Sequence, residues 1–175
     1  MLGFFDESSP QTTSNTVRMW SFRKPIMCKN TTKMKANSFG FYALNGNSVI
    51  DFKENSKTQS VCDFLGEIRS KNPDRKIVII LDNFRSHRAN ATMEFAKAIE
   101  IKLVFLPPYS PHLNPIEYIW KSIKRIVSQT FIQDVEHLRR IIHERFEEYS
   151  LRISFARKWI EEFLSEENKS KMLCS

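Results

Sequence analysis

The chain has 175 residues, 41% of them hydrophobic, which suits one globular domain with a buried core. Its 27 Lys and Arg residues outnumber its 20 Asp and Glu residues, and the formal charge of +7 favours a polyanionic partner, nucleic acid before an anionic membrane. The longest apolar runs are too short to span a bilayer and the N-terminus lacks a secretory pattern. We therefore expect a soluble intracellular protein, cytoplasmic and nucleoid-associated if the host is prokaryotic.

The first third of the chain predicts an antiparallel meander. Short apolar or alternating runs predict strands at 2–7, 17–22, 39–44 and 48–52. The last two runs are separated by a segment containing Asn45-Gly46, which is a strong hairpin signal. A sheet of consecutive antiparallel strands should therefore form the start of the domain.

The rest of the chain changes to a mixture of helices and buried strands. Apolar residues at helical spacing, alternating with two continuous apolar runs, predict helices at 58–70, 89–99, from 115 onward, 134–149 and 153–165, and strands at 76–81 and 101–106. A strand, a helix and a strand at this spacing predict a parallel right-handed crossover. The expected fold class is therefore α/β, a mixed sheet of a meander plus parallel strands flanked by helices, in one domain over 1–165 with a flexible tail at 166–175.

Two aspartates end predicted strands and are candidate site residues. Asp82 follows the apolar run 76–81, at the carboxyl end of a parallel strand, where α/β sheets place their sites. Its alternative role is a turn-forming Asp-Asn pair or a helix cap. Asp6 ends the first strand on the same face as Phe4, with Glu7 on the other face. A turn residue is the alternative for Asp6.

Glu117 follows a proline-rich connection, LPPYSPHLNP, at the start of a helix. Asn114 suits the N-cap and Pro115 the first helical position, so Glu117 at the third position favours a capping box. The prolines allow a second interpretation, since a stiff loop loses less entropy when it holds a charged group in place.

Three carboxylates from separate elements would repel one another unless a cation compensated them. Oxygen ligands suit Mg²⁺ or Mn²⁺, and two such ions about 4 Å apart support phosphoryl transfer. Asp6, Asp82 and Glu117 therefore form a candidate metal site, although spacing along the chain does not prove that they converge.

The cysteines and the paired histidines offer weaker signals. Cys28, Cys62 and Cys174 are odd in number and scattered, so we interpret them as free thiols. His137 and His143 lack the one-turn spacing of a zinc-binding pair and are interpreted as surface residues.

Two runs, VIILDNFRSHRAN and VFLPPYSPHLNPIEYIWKSIKR, carry a resemblance to a known family, together with FFDES and MWSF at the front of the chain. With 34 residues between Asp82 and Glu117, roughly residues 1–130 resemble the catalytic domain of mariner-like and insertion-sequence DDE transposases. The resemblance implies a ribonuclease-H-like fold in which Asp6, Asp82 and Glu117 bind two Mg²⁺ ions, for which Mn²⁺ substitutes.

The same resemblance implies an activity and partners. The activity would be cleavage of a transposon-end phosphodiester by an activated water, followed by attack of the freed 3′ hydroxyl on target DNA, without a covalent protein intermediate. The partners would be transposon ends and target DNA, bound by a homodimer in the synaptic complex.

Basic residues beside the acids are candidate DNA contacts. Lys121, Lys124 and Arg125 lie on the helix of Glu117, off its apolar stripe, and a solvated face with a Glu117–Lys121 pair is the alternative. Arg85, His87 and Arg88 follow Asp82 and are placed to meet DNA; His87 also fits the family pattern. Trp20 and Trp120 are interpreted as core residues rather than stacking platforms.

Members of the family usually carry a helix-turn-helix region before the catalytic domain. We expect this region to be absent here, because the first strand begins almost at Met1. Two rival functions follow: an inactive or truncated remnant that acts only in DNA binding or assembly, and a nuclease of the same fold that acts on RNA hybrids or junctions.

Overall fold

The computed structural model describes residues 1–13, 22 and 30–164. Its strands are β1 (Leu2–Ser8), β2 (Ser38–Ala43), β3 (Val49–Phe52), β4 (Ile77–Leu81) and β5 (Ile101–Phe105). Its helices are α1 (Thr58–Lys71), α2 (Asn90–Ala98), α3 (Ile116–Val127), α4 (Val135–Ser150) and α5 (Arg157–Phe163), with 3₁₀ turns at Pro111–Leu113 and Ile153–Phe155.

The five strands form one mixed sheet in the order β3-β2-β1-β4-β5. β1 pairs antiparallel with β2, and β2 with β3, whereas β1 with β4 and β4 with β5 are parallel. The meander and the β4-α2-β5 crossover are thus both present, which confirms the predicted fold class. Most of the strand expected at 17–22, including Trp20, lies outside the described residues, as do Cys28, Cys174 and the tail after 164.

Helices cover both faces of the sheet because side chains of β1 alternate between two apolar clusters. Phe4 packs with Trp120 of α3, Phe146 of α4 and neighbours that include Trp159 of α5. Phe5 packs on the opposite face with residues of α1 such as Phe64. β1 is therefore the central strand of a three-layer domain, and Trp120, fully buried, is a core residue as predicted.

The β2-β3 hairpin forms as predicted, but Gly46 serves it in a different way. None of the four glycines, all within the described residues, has a positive φ, so Asn45-Gly46 does not make the expected kind of hairpin turn. A Cβ at Gly46 would lie 1.9 Å from Sδ of Met1, so a larger residue there would have to displace the end of the flexible Met1 side chain.

The helix predicted at 153–165 is split into a 3₁₀ turn and α5. Ala156, between them, has φ −103° and ψ 0° and is fully buried in the Phe4 cluster. The chain changes direction at Ala156, where the small side chain packs against the core, and α5 begins after it. Within the described residues, no helix has the length and apolar character needed to cross a membrane.

Candidate active site

Asp6 and Asp82 lie side by side at one edge of the sheet. β1 and β4 are parallel, and their register pairs Phe4 with Ile80. Two residues further in the same direction are Asp6 of β1 and Asp82, which directly follows β4. Burial, followed by the nearby charges of Glu117 and Asp82, raises the pKa of Asp6 well above its ordinary value. The parallel pairing of β1 with β4 therefore brings these two carboxylates to neighbouring strand ends.

Asp82 is oriented by hydrogen bonds to one of its two oxygens. Oδ1 accepts the backbone N–H of Phe84 at 2.9 Å and lies 2.8 Å from Nδ1 of His87. The hydrogen bond with His87 is the main cause that lowers the pKa of Asp82, against the opposing effect of burial. This carboxylate is consequently held ionised, with Oδ1 fixed by the two contacts.

Glu117 reaches the same place through the proline-rich connection and the first turn of α3. Asn114 is extended and Pro115 helical, as predicted, but the Asn114 side chain caps nothing. Its Nδ2 donates to the carbonyl of Phe5 at 3.3 Å, which ties the start of α3 to β1 beside Asp6. The capping box considered for Glu117 is therefore not formed, because Asn114 is used in a tertiary contact that local sequence does not reveal.

One cavity of about 490 Å³ collects these groups. It is lined by Asp6, Asp82 and Glu117 together with Asn83, Phe84, Asn114 and residues 106–111. The side chain of Asn114 is buried and its Oδ1 has no hydrogen-bond partner. In the part of the chain that the structure describes, no three His, Cys, Asp or Glu side chains are close enough together to be grouped as metal ligands. The three acids thus share a cavity without being drawn around a common point.

His87 lies beneath this cavity rather than on the surface where DNA would meet it. Its side chain is 1% exposed, and its Nε2 lies 3.3 Å from Oε1 of Glu7. Burial by itself would lower the pKa of His87, but the hydrogen bonds and charges of Asp82 and Glu7 outweigh that effect and raise it to about 9. The DNA contact expected for His87 does not fit this position, and Glu7 is a residue that the sequence interpretation left without a role.

Arg85 and Arg88 do lie on the surface, along a groove that adjoins the acid cavity. The groove, of about 1070 Å³, is also lined by Lys57 and by the first residues of α1 and α2, and it shares Asn83 and Phe84 with the cavity. Both arginines are exposed. Cationic side chains and the N-terminal ends of two helices favour an anion in this groove.

The basic residues of α3 lie near Glu117. Lys121 and Arg125 are exposed and Lys124 is half-buried. The alternative expectation, an ion pair between Glu117 and Lys121, is not formed between these two described side chains. Glu117 and Lys121 are therefore presented separately by this helix.

Two exposed aromatic side chains flank the acids. Phe84 is half-exposed on one side, and Tyr109, in the proline-rich connection, is fully exposed. Tyr109 has a φ of 57°, a left-handed conformation that costs a non-glycine residue energy. Exposed aromatic faces of this kind are suited to stacking with unpaired nucleic-acid bases.

The weaker signals are accounted for by local contacts. The backbone N–H of His137 donates to the Asp134 cap at 2.7 Å, and exposed His143 lies 3.5 Å from Glu147. Cys62 is a buried free thiol. These observations agree with the surface interpretation of the two histidines and, among the described residues, with the free-thiol interpretation of Cys62.

A mixed five-stranded sheet with helices on both faces defines a ribonuclease-H-like domain, and its carboxyl edge here carries acids from β1, from the end of β4 and from α3. The family model of the DDE superfamily endonuclease matches residues 1–139. This match spans most of the chain, which therefore belongs to the DDE superfamily endonuclease family.

Solved structures share the fold. The chain is similar to the crystal structure of the Mos1 Strand Transfer Complex, with a TM-score of 0.63 and 16% identity over 85% of this chain and 49% of that one. It is also similar to a structure of the Mos1 transposase catalytic domain and Raltegravir with Mg, with a TM-score of 0.53 and 15% identity over 83% of this chain and 80% of that one. Likeness at these identities is evidence of the fold.

A curated relative matches a shorter stretch. It is an uncharacterized protein, y4pE/y4sA, of Sinorhizobium fredii (strain NBRC 101917 / NGR234), 37% identical over 68 residues, which are 38% of this chain and 48% of that protein. The chain spans about half the length of this relative.

Proposed function

We propose that this chain is the catalytic domain of a transposase that cuts DNA at transposon ends and joins the freed ends to target DNA. Asp6, Asp82 and Glu117 would hold two Mg²⁺ ions, with Mn²⁺ as a substitute. The observation that carries the proposal is the shared cavity, because three acids from three separate elements line it at the carboxyl edge of the sheet. Membership of the endonuclease family supports it.

The chemistry of the three acids fits a hard divalent ion. All three donors are carboxylates, which are the ligands that Mg²⁺ and Mn²⁺ prefer. The raised pKa of Asp6, caused by burial and then by Glu117 and Asp82, is a sign of uncompensated like charge. A bound cation would remove that repulsion and would let the three carboxylates come closer together around it.

Each residue has a distinct part in this arrangement. Asp82 is held ionised by its hydrogen bond with His87, and Glu117 is brought to Asp6 by the tie between Asn114 and the carbonyl of Phe5. Divalent ions bound there would supply activation of the attacking oxygen and charge stabilisation of the leaving oxygen. The protein itself orients the phosphodiester in the cavity and supplies no covalent nucleophile.

DNA contacts are proposed for Arg85, Arg88, Lys121, Lys124 and Arg125. The first two line the groove that continues from the acid cavity, and the other three lie on the helix of Glu117. A strand whose scissile phosphate lies in the cavity would place neighbouring phosphates along both surfaces. We further propose that two copies of the chain hold two transposon ends in the synaptic complex.

The direct test is Mn²⁺ binding and DNA cleavage by the purified chain, with transposon-end DNA and, if needed, a fused end-recognition domain. Saturable Mn²⁺ binding should be lost in Asp6→Asn and Glu117→Gln, and Asp82→Asn should bind DNA without cutting it. Asp74→Asn, which removes an exposed acid outside the cavity, is the matched control and should behave as wild type. Unchanged cutting by Asp82→Asn would remove that residue from the mechanism.

The two rival functions give different results in the same assays. A DNA-binding or assembly module without activity would bind DNA but show no saturable Mn²⁺ binding. A nuclease for other substrates would cut RNA–DNA hybrids or branched junctions in preference to transposon ends.

A further inference from the structure

Three ionisable side chains, Glu7, His87 and Asp82, form a row that runs from inside the domain to the candidate site. Glu7 lies on the face of β1 opposite Asp6, and its Oε1 is 3.3 Å from Nε2 of His87. The other ring nitrogen of His87 is 2.8 Å from Oδ1 of Asp82. His87 therefore lies between a carboxylate inside the domain and a carboxylate of the candidate site.

The imidazole is fixed in place by packing and by its backbone. The ring centroids of Phe5 and Phe84 lie 5.0 and 5.8 Å from that of His87. The backbone N–H of His87 donates to the carbonyl of Phe84 at 3.0 Å, and buried Thr92 donates its hydroxyl to the carbonyl of Ser86 at 2.7 Å. The ring has little freedom to turn away from either carboxylate.

The first two side chains of this row are much less exposed than the third. The side chains of Glu7 and His87 are 12% and 1% exposed, whereas that of Asp82 is 53% exposed. A half-exposed carboxylate is satisfied by water and needs no partner for folding. A buried histidine and glutamate, by contrast, are costly groups to place in a domain interior unless they serve another residue.

We propose that Glu7 and His87 are positioning residues, which fix one oxygen of Asp82 from below so that the other faces Asp6 and Glu117 across the cavity. This inference rests on the proposed function, because the row can position a metal ligand only if Asp82 binds a metal ion. Partners that hydrogen-bond to a ligand orient it, and their loss costs about 10- to 100-fold in metal affinity. The role of His87 is then support of Asp82 and not contact with DNA.

Three variants separate this role from a general contribution to folding. His87→Ala removes both hydrogen bonds. His87→Asn keeps a side-chain amide near the position of Nδ1 and so retains a donor to Asp82, but it does not reach Glu7. Glu7→Gln keeps the shape of the buried side chain and removes its charge. His143→Ala, which removes an exposed histidine of α4, is the matched control.

The readouts are Mn²⁺ affinity by titration calorimetry, DNA affinity in EDTA and thermal stability. We expect His87→Ala to weaken Mn²⁺ binding about 10- to 100-fold, His87→Asn to recover most of that loss, and Glu7→Gln to give a smaller loss. DNA affinity without metal should be unchanged in all of them. If His87→Ala does not fold, Glu7→Gln decides the question, since weaker Mn²⁺ binding would support the positioning role and wild-type affinity would overturn it.

Each contrary result has a defined meaning. Wild-type Mn²⁺ affinity in a folded His87→Ala protein, or His87→Asn as weak as His87→Ala, would overturn the positioning role and leave the proposed function standing. Reduced DNA affinity in EDTA would assign His87 to DNA contact instead. Failure of the wild-type chain to bind Mn²⁺ would overturn the proposed function and this inference together.

Discussion

The indole of Trp120 lies directly over Gly40, so that a Cβ on Gly40 would be 2.5 Å from its ring. Gly40 is the residue of β2 that pairs with Asp6 of β1. Trp120 is one helical turn after Glu117 on α3. The closeness of helix and strand at Gly40 therefore sets how near Glu117 comes to Asp6.

Gly40→Ala should damage both stability and the site. The added methyl group also meets Phe146 at 2.8 Å, so α3 and α4 must shift, at a cost of about 1–3 kcal/mol. The shift would carry Glu117 away from Asp6 and weaken Mn²⁺ binding. Urea unfolding and Mn²⁺ titration measure the two effects. Gly66→Ala is the control, since its nearest neighbour would be 3.9 Å away; an undisturbed Mn²⁺ affinity in Gly40→Ala would contradict this account.

Arg85→Ala with Arg88→Ala should weaken DNA binding with little effect on sequence preference. Both side chains are exposed along the groove beside the cavity, where they would meet phosphates. Each lost phosphate contact should lower the slope of log affinity against log salt by about 1. Fluorescence anisotropy at several salt concentrations checks this. Lys97→Ala, at the far end of α2, is the comparison, and an equal loss in that variant would show that the charge acts only through the overall field.

Arg69 should be a determinant of stability rather than of activity. Its guanidinium donates to the carbonyls of Ile99 and Glu100 at 2.8 Å and to that of Arg75 at 2.7 Å, which joins the end of α1 to the turn before β5. Arg69→Lys cannot make these bonds together and should cost about 2 kcal/mol. Thermal unfolding measures the loss, and Arg140→Lys, exposed on α4, should show none. A stable Arg69→Lys protein would mean that water replaces these bonds.

The stability of the metal-free protein should fall as pH rises from about 6.5 to 9. The pKa of His87 is raised from 6.5 to about 9 in the folded protein, so its contribution is full below pH 6.5 and is lost as pH passes 9. The loss is at most about 3 kcal/mol. Urea unfolding in EDTA between pH 6 and 9.5 measures it.

Comparison with His87→Asn isolates the histidine from other groups. Asp6 also has a raised pKa and gives a slope of the same sign, but it remains in the variant. The wild-type protein should therefore show a steeper decline than His87→Asn over this range. Parallel curves would mean that His87 does not bind its proton more tightly in the folded state.

The fold and the edge that carries the acids follow from local sequence patterns. Apolar runs predicted the strands that end near Asp6 and Asp82, and the helix between 76–81 and 101–106 predicted a parallel crossover. The pairing of β1 with β4, which makes the two acids neighbours, was not predicted. Glu117 needed the resemblance to a family, because its local pattern favoured a capping box. The structure replaces that cap with a bond from Asn114 to the carbonyl of Phe5, a residue more than a hundred positions away.

The row of Glu7, His87 and Asp82 could not be predicted from the sequence for a similar reason. Glu7 and His87 are 80 positions apart, and nothing in the local pattern of either residue signals the other. Their contact depends on the alternation of β1 and on the turn after β4 acting together. The spacing of five between Asp82 and His87 was the only available signal, and it equally allowed the surface position that we first expected.

The position of β1 at the centre of the sheet has a consequence for synthesis. At about 5–20 residues per second, several seconds separate the emergence of β1 from that of its parallel neighbour β4. During that interval Phe4 and Phe5 of β1 have the β2-β3 hairpin and α1 as neighbours, but neither β4 nor the helix α3 that covers Phe4. The candidate site is completed only after β4 and β5, when α3 with Glu117 has been synthesised.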